Sequence, residues 1–392
     1  MKNKIYTFVL IVIAASIYLL ERSYMFGEDV VGAEAVTSTI YIGILLVFSF
    51  LAVLLSRRPY IKSTLSRRFT SLMIITYVMS LIFSFEHPFE SRNTYFFIIL
   101  PLLIFFFTSS MDLSKHGVLF LWSMTIVAAL LWLFYFQNYS NNILYNAERQ
   151  YNGSYAVLYC LPFLLCHKSK ILRWVSIAMV VFIVMISLKR GGFVAVLVAV
   201  AVYFVVTFFS LQGRRFGIGH LLILIGAVVG FFYLVQYING VVLNDLLHQR
   251  MIDIEAGEGS GRLVIYTKYL AFIQSDSFLH LLFGHGWQGS IIDSGIDATC
   301  HNDFLEVFVD FGIIGFVAYI AFWISLLKLC IKMVRNKHEY APAMSASIAM
   351  FFVNSMVAHI FIYPWYMILF AAFWGYIVSS FHSTASSNLI RV

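Results

Sequence analysis

A short polar segment late in the chain gathers the residue types that acid–base chemistry needs. It reads CHNDFLEVFVD, and its polar members are His301, Asn302, Asp303, Glu306 and Asp310. A histidine at this position could accept a proton near neutral pH. Asp303 and Glu306 also form a D-x-x-E pattern, which predicts a capping box at the start of a helix. Proton transfer and helix capping are therefore both open interpretations.

Other chemistry is less well supported in this region. Cys300 adjoins His301, but neighbouring side chains diverge and no third orienting group is visible, so we do not expect a cysteine nucleophile. His285, in the glycine-rich turn FGHGWQGS, is expected to pack or to donate a hydrogen bond. His285, His301 and the acids lack metal-ligand spacing, so no metal site is expected. Asp310 lies deep enough to need a partner or a watery cavity.

Three cations of interest, a pair and a single arginine, lie on the predicted outer side of the membrane. Lys189 and Arg190, in ISLKRGGF, follow an apolar run. They either snorkel to the outer headgroups or hold a phosphate-bearing ligand, and Gly191 and Gly192 favour close approach of a ligand or backbone. Arg262, in GEGSGRLVIY, begins a predicted helix, where a cation is unfavourable unless an anion binds there as well.

Arg262 also has a simpler explanation. Asp253, Glu255 and Glu258 precede it and could form a salt bridge with it. The helix that it begins, predicted over 260–274, has an apolar face at helical spacing. The face comprises Leu263, Tyr266, Leu270 and Ile273.

The elements that must position these residues are membrane helices. Of 392 residues, 61% are hydrophobic and 11% charged, with a mean hydropathy of +0.86, which excludes a soluble globular domain. The sequence predicts an all-α polytopic membrane protein of about twelve transmembrane helices. The apolar runs are 5–20, 38–55, 70–85, 95–108, 117–136, 154–166, 171–188, 192–210, 219–236, 306–334, 343–362 and 365–381.

The distribution of charge orients these runs. The first has the layout of a signal peptide, but the many following spans favour an uncleaved first helix. With a cytoplasmic N-terminus, most Lys and Arg lie in inner loops and most acids lie outside. The predicted organisation is helices 1–9 over 1–236, one large external loop over 237–300, and helices 10–12 over 301–392. The net charge of +7 mainly reflects this topology, so no nucleic-acid partner is expected.

Aromatic residues are abundant, at 18% of the chain. Helix packing and interfacial belts explain most of them. Tyr363, Trp365 and Tyr366, at the last outer turn, could also line a path for a sugar or an isoprenoid.

Three motifs together resemble the O-antigen polymerase and O-antigen ligase family of bacterial envelope enzymes. They are HNDFLE running into a glycine-containing helix, SLKRGG at the outer end of a middle helix, and SGRLVIY in the large loop. The resemblance implies a GT-C-like membrane glycosyltransferase of the bacterial inner membrane, with its active site facing the periplasm. The implied partners are an undecaprenyl-diphosphate-linked oligosaccharide and membrane lipid, with no cofactor and no metal.

The resemblance also implies roles for individual residues. Arg190 and Arg262 would grip the diphosphate, with Lys189 assisting. His301 would activate the acceptor hydroxyl, supported by Asn302, Asp303 and Glu306.

The acceptor distinguishes the members of the family. A polymerase transfers the glycan to another lipid-linked repeat unit, and a ligase transfers it to lipid A–core. SLKRGG favours a polymerase, for which a chain-length-regulating protein is a further candidate partner. A lipid-linked-oligosaccharide flippase is a remoter alternative, because transporters place their charges near the bilayer midplane and often show symmetric broken helices.

Overall fold

The computed structural model describes residues 2–24, 33–56, 63–83, 94–142, 153–187, 189–211, 262–296, 299–361 and 363–389. Every regular element in these ranges is helical. We number the helices in chain order: α1 Lys2–Tyr24, α2 Ala33–Leu55, α3 Thr64–Phe83, α4 Thr94–Ser109, α5 Leu113–Asn142, α6 Gly153–Leu165, α7 Lys170–Ile186, α8 Arg190–Val206, α9 Arg262–Ser275, α10 Phe278–Phe283, α11 Gly289–Ile292, α12 Asp303–Arg335, α13 Ala341–Val357 and α14 Pro364–Leu389. A short π-helix, Thr207–Leu211, continues α8.

The described helices confirm an all-α membrane protein. Five are long and apolar enough to cross a membrane: Lys4–Ser23, Thr64–Ile82, Leu113–Asn138, Arg190–Phe209 and Asp303–Arg335. Shorter apolar helices accompany them in the described ranges. Helices suit these apolar runs because each helix satisfies its own backbone hydrogen bonds in lipid. The twelve spans, the GT-C-like arrangement and the three-part division stay predictions, and the predicted ninth span, 219–236, lies outside the described residues.

The bundle is held by helix pairs that come from distant parts of the chain. α14 packs on α4, α12 on α3, and α13 on α8. Gly375 of α14 lies directly against Thr108 and the Phe105 carbonyl of α4, where a Cβ would not fit. Small residues at such a crossing let two membrane helices approach closely. The α13–α8 pair matters most for function, because it joins the Lys189–Arg190 segment to the end of α13.

The helix predicted over 260–274 is confirmed as α9, but its apolar face was only half right: Tyr266 and Ile273 pack on the buried cluster that joins α9 to α12, and the two leucines do not. Leu263 and Leu270 are 75% and 51% exposed, whereas Tyr269 is fully buried. Tyr269 packs with Cys300 and Val309, so α9 lies on the beginning of α12. The helical spacing that selected Leu263, Tyr266, Leu270 and Ile273 does not include Tyr269. Both faces of α9 contain large apolar residues, so spacing alone did not identify the buried one.

Candidate active site

The turn that leads into α12 holds His301 in an unusual backbone conformation. His301 has φ +53°, in the left-handed region that non-glycine residues rarely adopt. Asn302 then caps the helix, with its side-chain oxygen accepting the N–H groups of Phe304 and Leu305 at 3.0 and 3.2 Å. The predicted D-x-x-E capping box is therefore wrong. The N-cap is Asn302, because the carboxylate of Asp303 is engaged elsewhere.

Asp303 fixes the loop between α13 and α14. Its fully buried carboxylate accepts the Ser355 hydroxyl at 2.7 Å and the backbone N–H groups of Ile360 and Phe361 at 2.8 and 3.2 Å. Tyr319 adds a longer contact at 3.4 Å. A carboxylate that accepts several hydrogen bonds can be held inside a protein. Asp303 therefore sets the position of the loop relative to the start of α12.

His359 lies in this loop and is a site residue that our sequence reasoning missed. Its ring stacks on that of His301, with centroids 4.7 Å apart and planes at 22°. Tyr363 packs on His359, at 4.4 Å between centroids. The available signal was a histidine in an apolar stretch at the outer end of a span, just before the aromatic residues that we did single out.

Glu306 supports the same turn from inside the protein. It is fully buried, and its Oε1 accepts the Cys300 N–H at 2.9 Å. Oε1 also lies 3.9 Å from His359 Nδ1, beyond hydrogen-bond distance. Within the described residues, Glu306 Oε2 and His359 Nδ1 are buried without hydrogen-bond partners. Unpaired buried polar atoms are costly, so these two atoms beside the stacked histidines need an explanation, and a role in the site is one.

Arg262 reaches the histidines through α9. Tyr266, one turn further along α9, lies beside the Asn302 side chain, which places Arg262 beside the turn. Arg262 Nε is also buried without a hydrogen-bond partner in the described part of the chain. The salt-bridge alternative involves Asp253, Glu255 and Glu258, which lie outside the described residues.

The site keeps both histidines neutral. Burial, followed by the charges of Arg262 and Lys189, lowers the pKa of His301 from 6.5 to about 4. Burial, followed by the His301 ring and the same two cations, lowers the pKa of His359 to about 3. A neutral imidazole has a lone pair with which to accept a proton. Lys189, rather than Arg190, is the cation of this pair that acts on the two rings.

Both cationic segments begin helices. Arg190 is the first residue of α8, with Lys189 as its N-cap, and Arg262 is the first residue of α9. The free N–H groups there add partial positive charge, so two helix N-termini and their cations favour an anion. Gly191 and Gly192 lie against Val357 and Tyr155. Within the described residues, the missing side chains of these two glycines let α8 pack closely on α13 and α6.

A second turn, between α10 and α11, packs against the first half of α12. Gly284 and Gly312, with φ +79° and +62°, lie against the backbones of Asp310 and Leu282, respectively. A Cβ at either position would overlap backbone atoms, so only glycine permits this approach. Gly312 also kinks α12.

Asp310 completes this packing, as its depth led us to expect. It is fully buried, and its carboxylate accepts the N–H groups of Gln288 and Ser290 at 3.1 and 2.8 Å. His285, in the same turn, donates its backbone N–H to Val309. The turn is therefore fixed to α12 through backbone groups on both sides.

Two other residue types in the region have clear roles. Burial raises the pKa of the Cys300 thiol well above its usual range, followed by the charge of Glu306, so the thiolate that a nucleophile needs is disfavoured. Tyr363 contacts Trp365 and Tyr366, and Tyr366 packs on Tyr159 of α6. This aromatic row runs from His359 into the bundle.

One group in the segment between α9 and α11 has the composition of a metal site. Asp276, His280 and His285 place one candidate ligand atom each within 4.8 Å of one another. None of these three residues belongs to the site formed by His301, His359, Arg262 and Lys189.

The fold and the site define a class: a helical membrane protein that gathers cations, helix N-termini and two neutral histidines around the N-terminal end of α12. Residues 174–320 match the family model described as O-Antigen ligase, and the matched range contains Lys189, Arg190, Arg262 and HNDFLE. The match confirms the resemblance to the O-antigen polymerase and ligase family over residues 174–320. No curated protein matches the sequence.

Proposed function

We propose that the protein is an O-antigen polymerase of the bacterial inner membrane, with its site open to the periplasm. It transfers a glycan from undecaprenyl diphosphate to a sugar hydroxyl of another lipid-linked repeat unit. The observation that carries this proposal is the convergence of Arg262 and Lys189 on a neutral, stacked His301. A base that lies beside a positively charged, anion-binding site suits a reaction that removes a proton and releases a diphosphate.

The chemistry divides between the two halves of the site. His301 takes the proton of the acceptor hydroxyl, and the oxygen attacks the anomeric carbon of the donor. The bond from that carbon to the diphosphate oxygen breaks on the opposite face, which inverts the configuration. A positioned base contributes roughly 10²–10⁴-fold to the rate of such a step.

The leaving diphosphate carries the bonding electrons away as negative charge. Arg262, Lys189 and Arg190 stabilise that charge, together with the N-termini of α8 and α9. Each such contact lowers the barrier by roughly 2–4 kcal/mol, by comparison with removing one oxyanion donor. Three cations supply the charge that a divalent ion supplies in other glycosyl transfers, so we propose a metal-independent reaction.

The alternative is an O-antigen ligase that transfers the glycan to lipid A–core, and the description of the matching family favours this activity. Both enzymes would bind the donor in the same way. The motif SLKRGG supports the polymerase. A polymerase would have a chain-length-regulating protein as a further partner.

Deletion of the gene separates the two activities on a lipopolysaccharide gel. Loss of a polymerase leaves core that carries a single repeat unit. Loss of a ligase leaves bare core, with long chains accumulating on the lipid carrier. An unchanged ladder after clean deletion would contradict both assignments.

A further inference from the structure

We propose that Asp276, His280 and His285 bind a divalent transition-metal ion, with Zn²⁺ as the best fit, and that this ion braces α10 and the following turn against α12. The ion would take no part in glycan transfer. Its binding can therefore be tested without an activity assay, whatever the outcome for the proposed function.

The strongest indication is the surroundings of His285. Its ring is 4% exposed and lies between two carboxylates. Nδ1 is 2.9 Å from Asp293 Oδ2, and Nε2 is 2.7 Å from Asp276 Oδ2. If Nδ1–H donates to Asp293, the neutral ring presents its Nε2 lone pair to a carboxylate oxygen. Two acceptors this close require a cation between them, either a proton or a metal ion.

His280 favours the metal ion over the proton. Its Nδ1 lies 3.1 Å from Asp276 Oδ1, so two imidazoles meet one carboxylate. Two histidines and one carboxylate are a common set of three protein ligands for zinc.

The geometry fits after small movements. The three candidate ligand atoms lie within 4.8 Å of one another, and ligands of a tetrahedral zinc ion are roughly 3.3 Å apart. His280 is 29% exposed, which leaves the fourth position open to water. Asp293 would act as the outer carboxylate that fixes the tautomer of a metal-bound histidine.

The local chain is built to hold this arrangement. Asp276 precedes α10, whose N-cap Ser277 accepts the N–H of His280 at 3.2 Å. Gly284 then turns the chain back so that His285 faces Asp276. Because His285 also bonds to Val309 through its backbone, an ion here would fasten α10 and the following turn to α12.

The test is metal content and zinc-dependent stability of the full-length protein, purified in detergent with a tag that contains no histidine. Wild type and the control His382→Ala, a histidine of α14 outside the cluster, are expected to retain one zinc ion per chain after dialysis. Zinc should raise their unfolding temperature, and EDTA should lower it. His280→Ala and His285→Ala should lose both the ion and the response.

Two results would overturn the proposal. One is wild type that binds no stoichiometric zinc and does not respond to EDTA, which would leave a proton between His285 and its carboxylates. The other is zinc content that is unchanged in both variants. If His285→Ala fails to fold, His280→Ala decides the matter, because that side chain is partly exposed and its removal leaves the His285 hydrogen bonds in place.

Discussion

The rings of His301 and His359 stack 4.7 Å apart, although one precedes α12 and the other follows α13. Asp303 enforces this relationship by holding the backbone of the α13–α14 loop. The stacked pair has the cations Arg262 and Lys189 close enough to lower the pKa values of both rings. In the proposed function, this arrangement provides a base that stays neutral beside a site for the diphosphate.

The pH dependence of transfer tests this electrostatic coupling. His301 acts as a base only when neutral, and its pKa is lowered to about 4. We therefore expect activity to fall only as the pH drops through about 4. Lys189→Gln removes a positive charge, so the pKa should rise toward 6.5 and the acid limb should move to higher pH. A wild-type limb near 6.5, or one unmoved in the variant, would contradict the coupling.

Arg262→Ala should remove a contact with the leaving diphosphate. We expect kcat/KM for transfer to fall by roughly 10²–10³-fold, with normal folding. Lys268→Ala is the matched control, since Lys268 is an exposed cation on the same helix. Transfer kinetics with a purified lipid-linked donor measure the difference, and equal rates for the two variants would exclude the proposed role.

Asp303→Ala should destabilise the fold and disturb the histidine pair. The change leaves the Ser355 hydroxyl and the N–H groups of Ile360 and Phe361 without their buried acceptor. The expected cost is roughly 3–5 kcal/mol in the free energy of unfolding. Glu339→Ala, at an exposed carboxylate, should stay within about 0.5 kcal/mol of wild type. Denaturation in detergent measures both, and similar losses would show that Asp303 has no special structural role.

Gly312→Ala tests the close approach of the α10–α11 turn to α12. A Cβ there meets the Leu282 backbone and is strained at φ +62°. We expect a loss of roughly 2–4 kcal/mol in unfolding free energy. Gly43→Ala is the control: it lies within helix α2 with open space around it, so the change should be neutral or stabilising by up to about 1 kcal/mol. A neutral Gly312→Ala would contradict the close packing.

Local patterns predicted the features that depend on local chemistry. Long apolar runs became helices because lipid leaves the backbone no other partner. The helix over 260–274 followed from the spacing of its apolar residues, and the need of Asp310 for a partner or a watery cavity followed from the cost of burying a charge.

The features that we missed depend on contacts between distant segments. His359 joins the site only because Asp303 binds its loop. The same tertiary bonds take Asp303 away from capping and leave that role to Asn302. The buried face of α9 was only half right for a similar reason, because Tyr269 is buried by its contacts with Cys300 and Val309.

The most direct test of the central claim is the rate of glycan transfer by purified His301→Ala. The assay uses an undecaprenyl-diphosphate-linked repeat unit as donor and as acceptor, with His382→Ala as the control and thermal unfolding as the measure of folding. We expect His301→Ala to fold normally and to transfer roughly 10²–10⁴-fold more slowly than wild type, while the control keeps its rate. A folded His301→Ala protein that transfers at the wild-type rate would contradict the assignment of His301 as the base.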